Sequence, residues 1–151
     1  MIRPSRDQFI QLKTLVDEIL SDDKHRSTND IKYASQKILH DIARAEAGRR
    51  RIRQEMFKGY DLFFDPAWDI LLELYLADAS EAKLSVTAIG LESGVAPTTV
   101  IRWISVLESN GLVKRVEDAL DKRRCWVYLT NKSKAALETY FAYFAPKALP
   151  G

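Results

Sequence analysis

Cysteine is nearly absent: Cys125 stands alone in 151 residues, which excludes an intramolecular disulfide and any multi-cysteine metal site and fits a reducing compartment. Histidine is almost as scarce. His25 and His40 are the only two, both in the N-terminal helical region and away from Cys125, and neither a phosphate loop nor a metal-ligand spacing occurs. Catalysis, a metal and a cofactor are therefore not expected. Long apolar runs are missing too. Nothing approaches the roughly 18 uncharged apolar residues of a membrane span, and Arg3, Arg6 and Asp7 interrupt the stretch where a signal peptide would be apolar, so a cytoplasmic protein without a membrane partner is expected. Net charge is also small, and +2 says little about partners.

At 151 residues and 46% hydrophobic, the chain can build one compact core plus an appendage, but not two full-sized domains. Its charge is unevenly placed. Between Asp61 and Ala96 seven acids face Lys83 alone, whereas from Pro97 to Lys134 eight bases face four acids. Attraction to a polyanion follows such local clusters rather than the total. A second basic cluster, Arg49, Arg50, Arg51 and Arg53, reads either as an arm toward flanking DNA or as a partner for acids further on.

Phe9, Leu12, Val16 and Ile19 form one stripe of a helix over Asp7–Leu20, and Ser21–Asn29 reads as a loop. A longer helix from Asp30 to about Lys58 carries Ile31, Ile38, Ala45 and Ile52 at seven-residue spacing, with Ala34, Ile42 and Met56 nearby; such a seam seeks a partner helix and is expected to dimerise. Gly59–Asp65 reads as a hinge. Asp65 and Pro66 then cap and open a helix to about Asp78, whose expected buried face is Trp68, Leu71, Leu72 and Tyr75. Asp65, Asp69 and Glu73, four apart on another face, are expected to be solvated.

The stretch from Thr87 to Leu107 has the residue types that two short helices crossing at a sharp turn require. Gly90 lets the second helix approach, Gly94 supplies a positive φ, and Pro97 opens the second helix where no amide donor is needed. Val100, Trp103, Ile104 and Leu107 form the buried face, which leaves Thr98, Ile101, Arg102 and Ser105 outside with no acid before Glu108. A helix entering a major groove needs hydroxyls near its start and an arginine able to fork onto guanine or grip a phosphate. Asn110 and Gly111 stop this helix. Leu112–Glu117 and Arg123–Thr130 read as two strands with Asp118–Lys122 at the hairpin tip, and Thr130 or Asn131 caps a last helix that Pro146 ends. A basic hairpin behind a recognition helix is a wing. The fold class is thus mainly α with a small β-hairpin wing: a winged helix-turn-helix over 61–151, preceded by two helices in a dimerisation region over 1–60.

The segments VAPTTVIRWISVLESNGLV and DKRRCWVYLT resemble the recognition helix and the wing of MarR-type regulators, and the resemblance covers about Phe64 to Phe144. It implies a homodimeric transcription regulator of double-stranded DNA, with the helix in the major groove and the wing at the minor groove. The implied contact set is Pro97, Thr98, Thr99, Ile101, Arg102 and Ser105 on the helix and Asp121, Lys122, Arg123 and Arg124 on the wing, with Asp121 orienting Arg123. Family members usually continue into a further C-terminal helix. The short stretch after Pro146 places more of the dimer on the N-terminal helices and leaves a small-molecule effector open. The rival reading is a winged helix that serves as a protein-interaction module without DNA binding, a reading the acidic segment favours. Cys125, between Arg124 and Trp126, is read as strand packing rather than a redox sensor.

Overall fold

In the computed structural model the described residues are 7, 10, 11, 13–15 and 28–146, with side chains of the long helix described from Ser35 onward. Asp7, Ile10, Gln11, Lys13, Thr14 and Leu15 are helical, while Phe9, Leu12, Val16 and Ile19 of the expected stripe lie outside the described residues. Of the expected loop, only Thr28 and Asn29 are described, and both already belong to the long helix. From there the elements run α1 (Thr28–Met56), α2 (Pro66–Ala79), β1 (Leu84–Ser85), α3 (Val86–Ser93), α4 (Pro97–Ser109), β2 (Val113–Glu117), β3 (Cys125–Leu129) and α5 (Asn131–Ala142).

The face that α1 buries is not the heptad seam. Ala43, Ala47 and Arg50, at steps of four and three, are the buried positions, and the two alanines let α1 lie close against Leu72, Tyr75, Leu137 and Phe141 of α2 and α5. Ile38, Ala45, Ile52 and Met56 remain exposed, while Ile42 leans into the buried cluster. The side chains of Ile31 and Ala34 lie outside the described residues.

Helix α2 starts as its sequence dictates: the Asp65 carboxylate accepts the Trp68 amide at 3.3 Å, and Pro66 occupies the first turn. Because α1, α3, α4 and β3 all pack on it, α2 is buried on more than the expected face. Ile70, Leu72, Leu74 and Tyr75 are buried, and Trp68 and Leu71 only half-buried. The acidic stripe is also corrected. Asp69 and Glu73 are buried rather than solvated, because arginines of α1 reach them from across the helix pair.

The sheet has three antiparallel strands in the order β1-β3-β2. Val113 pairs with Leu129 and Glu117 with Cys125, so the hairpin begins as expected but its loop runs to Arg124, two residues beyond the expected tip. The additional strand β1 is only Leu84 and Ser85, opposite Val127 and Trp126. Thr130 caps α5 by accepting the Ser133 amide at 3.3 Å. Ile70, Ile89, Val100 and Ile104 are fully buried together, each contributing roughly 1.5–3 kcal/mol. A capping hydrogen bond contributes about 1 kcal/mol. Packing therefore sets the angle between α3 and α4, and the caps at Asp65, Ser85 and Thr130 fix where α2, α3 and α5 begin. The order α2, β1, α3, α4, β2, β3 is that of a winged helix-turn-helix.

Candidate nucleic-acid interface

Two turns position α4. Ser85 caps α3 by accepting the Ala88 amide at 3.2 Å, and Gly94 ends that helix at φ 69°. A Cβ on Gly90 would sit 3.2 Å from the Val95 carbonyl oxygen and 3.5 Å from Val100 Cγ2, so the glycine is what allows α4 to cross so closely. Pro97 opens α4 after Ala96, which provides no side-chain cap. The amides of the first turn are thus left without a side-chain acceptor, a helix start suited to an anion.

Val100, Ile104 and Leu107 form the buried face of α4, with Trp103 half-buried against the same core. Pro97, Thr98, Ile101, Arg102 and Ser105 are exposed, and Thr99 is half-buried. Ser105 Oγ donates to the Ile101 carbonyl at 3.1 Å, leaving the oxygen's lone pairs outward. Arg102 has no hydrogen-bond or ion-pair partner among the described residues. Glu108, the first acid on this surface, is held by Arg115: Nε lies 2.8 Å and Nη2 2.6 Å from Oε2, and the Arg115 amide donates to Oε1 at 3.1 Å. These bonds hold the Glu108 carboxyl below its usual range, and they commit one base of the positive stretch to tying α4 to β2.

The wing loop is organised by an acid to which the sequence reading gave no role. Asp118 Oδ1 accepts the amides of Leu120 at 2.8 Å and Asp121 at 3.0 Å, and its Oδ2 accepts the Trp126 indole at 2.7 Å. Those donors keep the Asp118 carboxyl below the ordinary value. Asp121 does engage Arg123, but through the backbone amide at 3.0 Å rather than the guanidinium. The signal for Asp118 was an Asp at the start of the hairpin loop, from where an Asx-type bond reaches the amide two residues on. Lys122, Arg123 and Arg124 are exposed, and the Arg124 guanidinium sits 5.4 Å from the centre of the Trp126 ring. A cleft of about 360 Å³ separates Asp121, Arg123 and Arg124 from Ser85, Val86 and Thr87 at the start of α3. Cys125 is half-buried in β3.

The arginine cluster divides between the helices. Arg50 Nε donates to Asp69, whose other oxygen accepts Gln54 Nε2 at 3.2 Å. Arg51 Nη2 donates to Glu73 Oε1 at 2.6 Å and also to the Glu92 carbonyl at 3.1 Å. Burial raises the Glu73 carboxyl above its ordinary value, with Arg51 opposing that rise. Of the two readings open for this cluster, docking on the acidic stripe is what Arg50 and Arg51 do.

Among the described residues no helix is long and apolar enough to cross a membrane, and no group of three or more His, Cys, Asp and Glu is placed to hold a metal. The fold and its exposed α4 face define a winged helix-turn-helix. No protein-family model and no curated protein matches the sequence. Solved structures similar to it include S. aureus MepR in its DNA-binding conformation, at 21% identity over 66% of this chain and 71% of that one, TM-score 0.48. Similar too are the PcaV transcriptional regulator from Streptomyces coelicolor (23% identity, 60% and 64%, TM-score 0.43) and a probable transcriptional regulator from Pseudomonas aeruginosa (23%, 65% and 71%, TM-score 0.45). None of the three reaches a TM-score of 0.5, so what each binds stays a property of that protein.

Proposed function

We propose that this chain binds double-stranded DNA as a homodimeric transcription regulator, with α4 in the major groove and the wing along the minor groove. One observation carries the reading: Thr98, Ile101, Arg102 and Ser105 lie exposed on one face of α4 with no carboxylate among them, and the first acid along the helix, Glu108, is paired with Arg115. Arginine on such a face can fork onto guanine O6 and N7, Ile101 can meet a thymine methyl, and hydroxyls and open amides at the helix start suit phosphate. Pro97 and Thr99 set the entry of the helix, while Asp121 fixes the backbone from which Lys122, Arg123 and Arg124 meet the phosphates.

The acids that supported a protein-interaction module are in part used internally: Asp69, Glu73 and Asp78 pair with Arg50, Arg51 and Lys134. For the dimer, the support is the exposed side of α1 and the segment after it. Ile38, Ile52 and Met56 are followed by the exposed Phe57, Tyr60, Leu62, Phe63 and Phe64, an apolar surface that a second copy would cover. Residues 1–60, with the adjoining Leu62, Phe63 and Phe64, then serve dimerisation, and the remainder of 61–151 serves DNA binding.

Selection of duplexes from a random pool, followed by salt titration of the winner, tests this. The expected winner is palindromic and binds two chains, with affinity falling about a thousandfold between 50 and 200 mM salt. Arg102→Ala is expected to cost about 1–3 kcal/mol at one base position. Arg123→Ala should weaken all sequences alike. Absence of duplex affinity at low salt would reject the proposal in favour of the interaction module.

A further inference from the structure

We propose that the wing ends in an apolar probe: Leu120, held outward by Asp118, enters the minor groove and supplies a part of the affinity that salt does not weaken. The inference rests on the DNA reading above. Leu120 is 99% exposed, more than any other large apolar side chain among the described residues. That exposure is imposed by the loop. Asp118 binds the Leu120 and Asp121 amides and the Trp126 indole, the Asp118 amide donates to the Arg124 carbonyl at 3.0 Å, and the Arg124 amide donates to the Asp121 carbonyl at 2.9 Å. With its neighbours so tied, the backbone at Leu120 is set before any partner arrives, and little freedom is lost on docking.

The surroundings of the tip select the partner. Asp118 and Asp121 direct carboxylate oxygens into the loop's own amides, whereas the Lys122 and Arg123 side chains have no partner among the described residues. An apolar point beside two uncommitted cations matches a minor groove, whose sugar walls are apolar and whose rims are phosphate. A protein pocket would accept the leucine only if it also set acids beside it, whereas a minor groove carries phosphates along both rims.

The test uses the full chain, a fluorescein-labelled duplex from the selection above, and the variants Leu120→Ala and Arg123→Ala. Because Leu120 makes no core contact, both variants are expected to melt as the unaltered chain does. Leu120→Ala should weaken binding about tenfold with the slope of log affinity against log salt unchanged. Arg123→Ala should lower that slope by about one. Replacing A·T by I·C pairs beneath the wing keeps the minor-groove edges and alters the major groove, so the Leu120→Ala loss should persist on that duplex. Equal affinity of Leu120→Ala and the unaltered chain overturns the probe while leaving the DNA reading standing, and so does a loss that disappears on the I·C duplex. If the unaltered chain binds no duplex at any salt, the DNA reading falls, and the probe with it.

Discussion

The Arg50–Asp69 pair gives the most exacting test of how α1 is held on the winged helix. Its side chains are 9% and 8% exposed, so both charges have left water. Burial works against the Arg50 charge, yet the hydrogen bond and proximity of Asp69 outweigh it and hold the guanidinium's pKa above its ordinary value. Removing one partner strands the other, and the expected loss is about 3–5 kcal/mol for either Arg50→Met or Asp69→Leu. The double variant replaces both charges by apolar groups. What it forfeits is the Gln54 bond to Asp69 and the 3.4 Å contact of Arg50 Nη2 with the Asp65 carbonyl, so its loss should be about 1–2 kcal/mol, smaller than either single loss. Urea unfolding followed by tryptophan emission at fixed protein concentration reads all four proteins, since Trp68 lies on α2 itself. A double loss equal to the sum of the single losses within about 0.5 kcal/mol would refute the claim that the two charges compensate each other.

Four further outcomes follow from the geometry. At Gly94, where φ is 69°, Ala should cost about 1–2 kcal/mol, and Gly90→Val should cost about 1–3 kcal/mol by forcing the Val95 carbonyl away, both read as urea midpoints. Burial lowers the His40 pKa from 6.5, with Glu138 and Asp78 opposing and Lys134 and Arg44 adding to it. Its contribution is thus full above pH 6.5 and lost as pH falls through the folded value; His40→Gln should flatten that part of a stability profile, and an unchanged profile would reject the assignment. Asp118 is depressed below 3.8 by the amides and indole it accepts, so the wing should stay ordered until pH falls through that lower value, and Asp118→Ala should speed exchange of the Leu120 and Asp121 amides at neutral pH.

The parts legible in the sequence were those set by local chemistry. Gly94 and Pro97 punctuate the turn between α3 and α4, and the spacing of Val100, Ile104 and Leu107 gives the outward face of α4 directly. What escaped depends on residues far apart in the chain. Spacing showed Asp69 and Glu73 on one side of a helix, but their partners sit 19 and 22 residues upstream on another helix, which turns a solvated face into a buried junction. Likewise the heptad in α1 was real as a pattern, yet α2 and α5 took the alanine stripe beside it. Strand β1 has too few residues for alternation to show and exists through its pairing with β3. At the wing, Asp118 escaped because it works on backbone amides and an indole of the loop itself rather than on a partner.

One guanidinium spans three helices: Arg51 belongs to α1, grips Glu73 on α2 and holds the Glu92 carbonyl in the last turn of α3. One largely exposed side chain therefore tethers the long helix both to α2 and to the end of α3, just before the turn from which α4 departs.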